Sequence, residues 1–94
     1  MAPEAYMLIN TVIGEEEKVA KSVSRINGVK MAKPLFGVYD VIADMRADTK
    51  EGLKKIVDDI RREKFVRSTL THIKISGYRR NEKGKPITLS EKDL

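Results

Sequence analysis

The segment LFGVYDVIADM, residues 35–45, sets Gly37 and two carboxylates, Asp40 and Asp44, inside an apolar run that reads as strand. An unpaired charge taken from water costs several kcal/mol, so Asp40 needs a partner. Acid–base work by a carboxylate pair fails on distance. On one strand, at ~3.3 Å per residue, the Cα atoms of Asp40 and Asp44 lie ~13 Å apart. Asp44 reads instead as a solvated or cross-strand charge. A metal site would draw on Asp40, Asp44 and the single histidine, His72, but that spacing follows no ligand motif. His72 reads as a surface or interface imidazole. Gly37 opens no phosphate loop, because a strand rather than a helix follows it. No catalytic residue, metal or cofactor is assigned, and the chain reads as a non-enzyme.

What remains is recognition. A hairpin containing Gly37 exposes backbone N–H and C=O groups where a side chain would block approach. Asp40, just beyond, can take an ammonium by a charge-assisted hydrogen bond, and nearby amides can take a carboxylate. Ser68, Thr69 and Thr71 add hydroxyls on a later strand. Together these are the groups a free α-amino acid needs. The plainer alternative makes Gly37 a turn glycine and Asp40 a turn-capping acid.

The elements that position these residues follow from periodicity. Residues 5–13, AYMLINTVI, are short, apolar and β-branched, hence a strand. Three glutamates after Gly14 favour a helix start, and Val19, Ala20, Val23 and Ile26 recur at helical spacing until Asn27-Gly28. Residues 29–36 form a second strand, with Pro34 indicating an edge or bulge position. Gly37 makes a tight connection into a third strand, 38–47. Asp48 with Glu51 resembles a capping box, and Leu53, Ile56, Val57 and Ile60 make the stripe of a second helix. Residues 66–76 form the last core strand.

This βαββαβ order is the split βαβ of ferredoxin-like α+β domains. Right-handed crossovers put both helices on one sheet face. Yet both strand faces carry apolar residues: Ala5, Met7, Ile9 and Ile13 against Tyr6, Leu8 and Val12 in the first strand. In the third, Val38 and Ile42 oppose Tyr39, Val41, Ala43 and Met45. Helices cover one face only, and the simplest cover for the other is a second copy stacked about 10 Å away. A homodimer is expected.

Composition agrees with one small domain. Ninety-four residues without cysteine support one modest core and no disulfides, so oligomerisation is favoured. No apolar run approaches the ~20 residues of a membrane span and the N-terminus lacks a basic leader, so the chain reads as soluble and cytoplasmic. The net charge of +5 is interleaved (EEEK, DDIRREK) and concentrated only in YRRNEKGK. Residues 1–76 are read as the domain and 77–94 as a basic tail. Within it, 86–89 is a candidate short strand, and 77–85 alternatively a disordered stretch.

The arrangement AYMLINT, helix, LFGVYDV, helix, VRSTLTHI resembles the effector-binding domain of the Lrp/AsnC family of feast/famine regulators, the RAM module. The resemblance covers about residues 4–76. Its most specific piece is the G-x-x-D pattern Gly37-Val38-Tyr39-Asp40, followed by RSTLT. It implies a dimeric α/β-barrel of two facing sheets, with dimers assembling into octamers, decamers or similar rings. It also implies amino-acid effectors bound where dimers meet. Carried over, Gly37, Val38 and Tyr39 line that site with backbone and Asp40 holds the amino group. Ser68, Thr69 and Thr71 come from the last strand, of the same or a neighbouring subunit. Typical members begin with a helix-turn-helix domain, whereas this chain begins at the first strand. The resemblance therefore implies a stand-alone amino-acid sensor without sequence-specific DNA binding, modulating full-length regulators by mixed assembly. Two alternatives stand beside it: a small dimeric barrel enzyme of monooxygenase or isomerase type, and a structural adaptor without effector.

Overall fold

The computed structural model describes residues 2–88. Its elements are β1 (Glu4–Thr11), α1 (Glu16–Ser24), β2 (Val29–Pro34), β3 (Val41–Arg46), α2 (Lys50–Arg61), β4 (Val66–Ile73), β5 (Tyr78–Arg80) and β6 (Pro86–Thr88). The first four strands form one antiparallel sheet in the order β2-β3-β1-β4. This is the ferredoxin-like α+β arrangement expected from the element order. Pro34 lies on the edge strand β2, where its missing N–H breaks no interior ladder.

Strand alternation builds the core. Ala5, Met7 and Ile9 pair with Met45, Ala43 and Val41, and all six are fully buried. Val19, Ala20 and Val23 of α1 and Leu53, Ile56 and Ile60 of α2 close over the same face. Each large side chain so buried contributes about 1.5–3 kcal/mol. Both helices therefore do lie on one side, and the other sheet face carries no helix.

The strands are shorter than their apolar runs, for identifiable reasons. β1 ends at Thr11 because the next amide, that of Val12, turns away to the Phe65 carbonyl at 2.9 Å, and Gly14 then takes φ +85°. Ile13, expected on the core face, is consequently almost wholly exposed. The β2–β3 connection spans residues 35–40 rather than turning tightly at Gly37, so Val38 and Tyr39 belong to a loop and not to β3. β4 stops at Ile73, three residues short of the expected end.

Helix ends show similar shifts. The cap of α2 is Thr49, not Asp48: Thr49 holds the extended backbone, and its Oγ1 accepts from the Gly52 amide at 2.9 Å. Gly28 follows α1 at φ +98°, a conformation that favours glycine. A methyl there would collide with Ile56 and lie 3.0 Å from the Arg46 carbonyl.

Beyond the core, β5 and β6 pair as a separate two-stranded sheet, with Tyr78 opposite Thr88. Asn81 Oδ1 accepts from the amides of Lys83 (2.9 Å) and Lys85 (2.8 Å), which orders the turn. Within 77–85, the stretch offered alternatively as disordered, the structure places β5 and this turn. The candidate strand 86–89 appears as β6, and its last residue, Leu89, lies outside the described residues. Among the described residues, no helix is long and apolar enough to cross a membrane.

Candidate functional site

The β2–β3 loop is pinned at its base by Asp40. The Leu35 amide donates to the Asp40 carbonyl (2.8 Å), and the Asp40 amide donates to the Ile9 carbonyl (2.9 Å). The Thr11 amide donates to Asp40 Oδ2 at 2.8 Å. The acid meets the end of β1, where the ladder with β4 slips between Asn10 and Thr11. There its carboxylate supplies the acceptor that β3 no longer offers past the Ile9–Val41 pair, a charge-assisted bond worth about 1.5–3 kcal/mol. Asp40 is therefore a structural latch, which is the plainer reading of the motif. Its Oδ1 makes no hydrogen bond among the described residues.

Above the latch, the loop is open. Gly37 holds φ +154°, and an added Cβ would meet nothing within 4 Å, so backbone conformation rather than space calls for glycine. The amides of Phe36, Gly37, Val38 and Tyr39 make no backbone hydrogen bond among the described residues. Phe36 and Val38 are almost fully exposed, as is Ile13 at the same end of β1. The loop tip thus combines amides unpartnered among the described residues with uncovered apolar side chains.

The hydroxyls of β4 divide between the two faces, because side chains alternate along a strand. Ser68 pairs with Asn10, and Asn10 Nδ2 donates to its Oγ at 3.2 Å on the helix-free face. Thr69 and Thr71 pair with the buried Ile9 and Met7, so they face α2 instead. Arg61 Nε donates to Thr69 Oγ1 at 3.0 Å, while Thr71 Oγ1 is buried without a partner. Within one protomer, Ser68 and Asp40 flank β1 from opposite sides. Thr69 and Thr71 do not join them.

Nor are Asp40, Asp44 and His72 brought together. Asp40 precedes β3, and its carboxylate turns to Thr11. Asp44 pairs with Tyr6, which pairs in turn with His72, forming a row across the helix-free face. Lys74 Nζ reaches Asp44 Oδ1 at 2.8 Å and Glu4 Oε1 at 3.5 Å, and sits 4.2 Å from the Tyr6 ring centroid. Lys30 completes the cluster at 3.0 Å from Glu4. Burial pushes the Glu4 carboxyl up, but the hydrogen bond and charge of Lys30, joined by Lys74, outweigh it and hold the group below its ordinary value. Burial likewise pushes Lys74 down, and Asp44, with Tyr6 and Glu4, outweighs it and holds the ammonium above its ordinary value. This network was missed in the sequence, because its partners meet only through cross-strand register. Next to it runs an apolar row, Leu70–Leu8–Ile42, with Leu70 43% exposed. Among the described residues His72 and Tyr39 are not brought together. His72 lies on the helix-free face opposite Tyr6, and Tyr39 lies in the β2–β3 loop.

No family model matches the chain. The crystal structure of FFRP-DM1 is 31% identical with a TM-score of 0.72, over 78% of this chain and 99% of that one. Hypothetical protein PHS023 from Pyrococcus horikoshii is 32% identical with a TM-score of 0.72, over 80% of this chain and 90% of that one. AsnC of E. coli shares the fold at a TM-score of 0.72 and 14% identity, and the chain spans 52% of its length. Homocitrate synthases of Saccharolobus islandicus and Saccharolobus solfataricus are 40% identical over 55 residues. That stretch is 58% of this chain but only 12% of the synthases. The sheet order and the likeness to FFRP-DM1 support a regulator-related domain. The chain belongs to the Lrp/AsnC, or feast/famine, family.

Proposed function

We propose that this chain is an amino-acid-sensing module of the Lrp/AsnC type, acting in the cytoplasm. Two copies pair through the helix-free sheet face into a barrel, burying the Leu70–Leu8–Ile42 row. Dimers then meet at the β2–β3 hairpins, and a free amino acid lodges at that seam. The effector carboxylate takes the unpartnered amides of Gly37, Val38 and Tyr39, and its ammonium takes Asp40 Oδ1. Ser68 adds a hydroxyl from the helix-free face. Thr69 and Thr71, turned under α2, are left out of this site.

The observation that carries the reading is the hairpin itself: open amides, a carboxylate with one oxygen uncommitted, and Phe36 and Val38 exposed around them. Mixed assembly with full-length family members follows from pairing surfaces of the same fold. The similarity to part of homocitrate synthase favours a second target. The matched stretch amounts to only 12% of a synthase, so the synthase activity itself is not carried over to this chain. The same module here can report on an amino acid to an enzyme as well as to a regulator.

The test is a melting-temperature screen against each of the twenty amino acids at millimolar concentration, using Asp40→Asn as the control. Asparagine keeps an acceptor for the Thr11 amide but removes the charge offered to an ammonium. At least one amino acid raises the melting temperature of the parent by mass action and fails to raise that of Asp40→Asn. Twenty flat responses, or an equal response from Asp40→Asn, would reject the sensor reading.

A further inference from the structure

A cavity lies between α2 and β4, on the helix-covered side of the sheet. Its volume is about 420 Å³, within the size range of small-molecule sites. Leu53, Val57 and Ile73 form apolar walls, and Ile73 is 58% exposed although it belongs to the helix-covered side. Thr71 contributes a buried Oγ1 that has no hydrogen-bond partner.

The charges around the groove are of one sign. Lys50, Lys54 and Arg61 line it, and no aspartate or glutamate does. None of the three cations forms a salt bridge among the described residues, whereas Lys55, one position off the stripe, is paired to Asp59. Spacing explains the separation: residues 50, 54, 57 and 61 share one face of a helix, so the groove-facing stripe reads Lys, Lys, Val, Arg.

We infer that this groove binds a small monocarboxylate with an aliphatic tail. The tail lies against Leu53, Val57 and Ile73, and the carboxylate meets the Lys54 and Arg61 side of the rim. A zwitterionic amino acid does not suit it, because nothing acidic is present to take the ammonium. The site is therefore separate from the hairpin seam and does not depend on effector binding there. Short fatty acids and branched 2-oxo acids share the required chemistry.

Amide-resolved NMR titration of the full chain with hexanoate, 4-methyl-2-oxopentanoate and the neutral control hexanamide tests the assignment. Both acids produce saturable shifts centred on Lys54, Val57, Thr71 and Ile73, and hexanamide binds at least about tenfold more weakly, since the charge-assisted contacts are lost. Tighter binding of the oxo acid assigns the site to 2-oxo acids, and the reverse assigns it to fatty acids. Lys54→Glu, an exposed change, weakens both acids at least about tenfold without lowering the melting temperature. Val57→Trp fills the groove and abolishes the shifts. Absence of saturation, equal binding of hexanamide, or shifts that survive Val57→Trp overturns the proposal. So does a change in oligomeric mass on Val57→Trp without ligand, which would make the groove a contact between copies.

Discussion

Asp40 Oδ2 accepts the Thr11 amide at 2.8 Å across 29 residues of chain, locking the β2–β3 loop to the end of β1. This one side chain holds the loop to the sheet through Oδ2, while its Oδ1 makes no hydrogen bond among the described residues. The latch and the proposed recognition role would fall to one carboxylate, and they would respond differently to substitution.

Removing the acceptor is more harmful than removing the charge. Asp40→Ala leaves the Thr11 amide without its partner and should cost about 1–3 kcal/mol, while Asp40→Asn should cost less than half of that. Urea denaturation of the two variants checks the order. Equal losses would mean the latch contributes through charge alone.

The Glu4–Lys74–Asp44 cluster predicts a two-sided pH profile. Glu4 is held below its ordinary value near 4.5, so its contribution is full above that value and fades as the pH falls through the folded one. Lys74 is held above its ordinary value near 10.5, so its contribution is full below that value and fades as the pH rises through the folded one. Glu4→Gln should flatten the acid limb of melting temperature against pH. Lys74→Met should flatten the alkaline limb and cost about 2 kcal/mol at neutral pH, a buried-pair loss reduced by partial exposure. Adding Asp44→Asn to Lys74→Met should recover part of that loss, read from a double-mutant cycle.

Packing at Gly28 permits no side chain. Gly28→Ala combines a left-handed backbone with a collision against Ile56, and should destabilise by about 2–3 kcal/mol. Trimming the obstacle with Ile56→Val in the Gly28→Ala background should return part of the loss in chemical denaturation. A neutral Gly28→Ala would contradict the close approach of α2 to the end of α1.

The helix-free face is tested by charge. Leu8→Glu lies in the centre of the Leu70–Leu8–Ile42 row, half-buried in the protomer but central to the proposed pairing. Light scattering should give a multiple of the 10.7 kDa chain mass for the parent and a single chain mass for Leu8→Glu. Unchanged circular dichroism would show that the fold persists. A parent that remains at one chain mass would remove the barrel from the proposal.

Much of this was legible in the chain. The stripes Val19–Ala20–Val23 and Leu53–Ile56–Ile60 and the alternation Ala5–Met7–Ile9 name the core directly, because periods of 3.6 and 2 are local properties. Pro34 announced an edge, and Gly37 with Asp40 announced a connection of special geometry. Strand ends were less legible, since hydrophobicity continues through Val12, Ile13, Leu35 and Phe36 after the ladders have stopped.

The tertiary structure alone decided who meets whom. Alternation says that Thr69 and Thr71 share a face and Ser68 opposes them, but only pairing with Met7 and Ile9 puts the threonines under α2. Thr11 for Asp40, and Asp44 and Glu4 for Lys74, are partners chosen by strand order and register. Backbone propensity and side-chain period are carried by neighbours along the chain, whereas the partner of a polar group is set by the packing of segments dozens of residues apart.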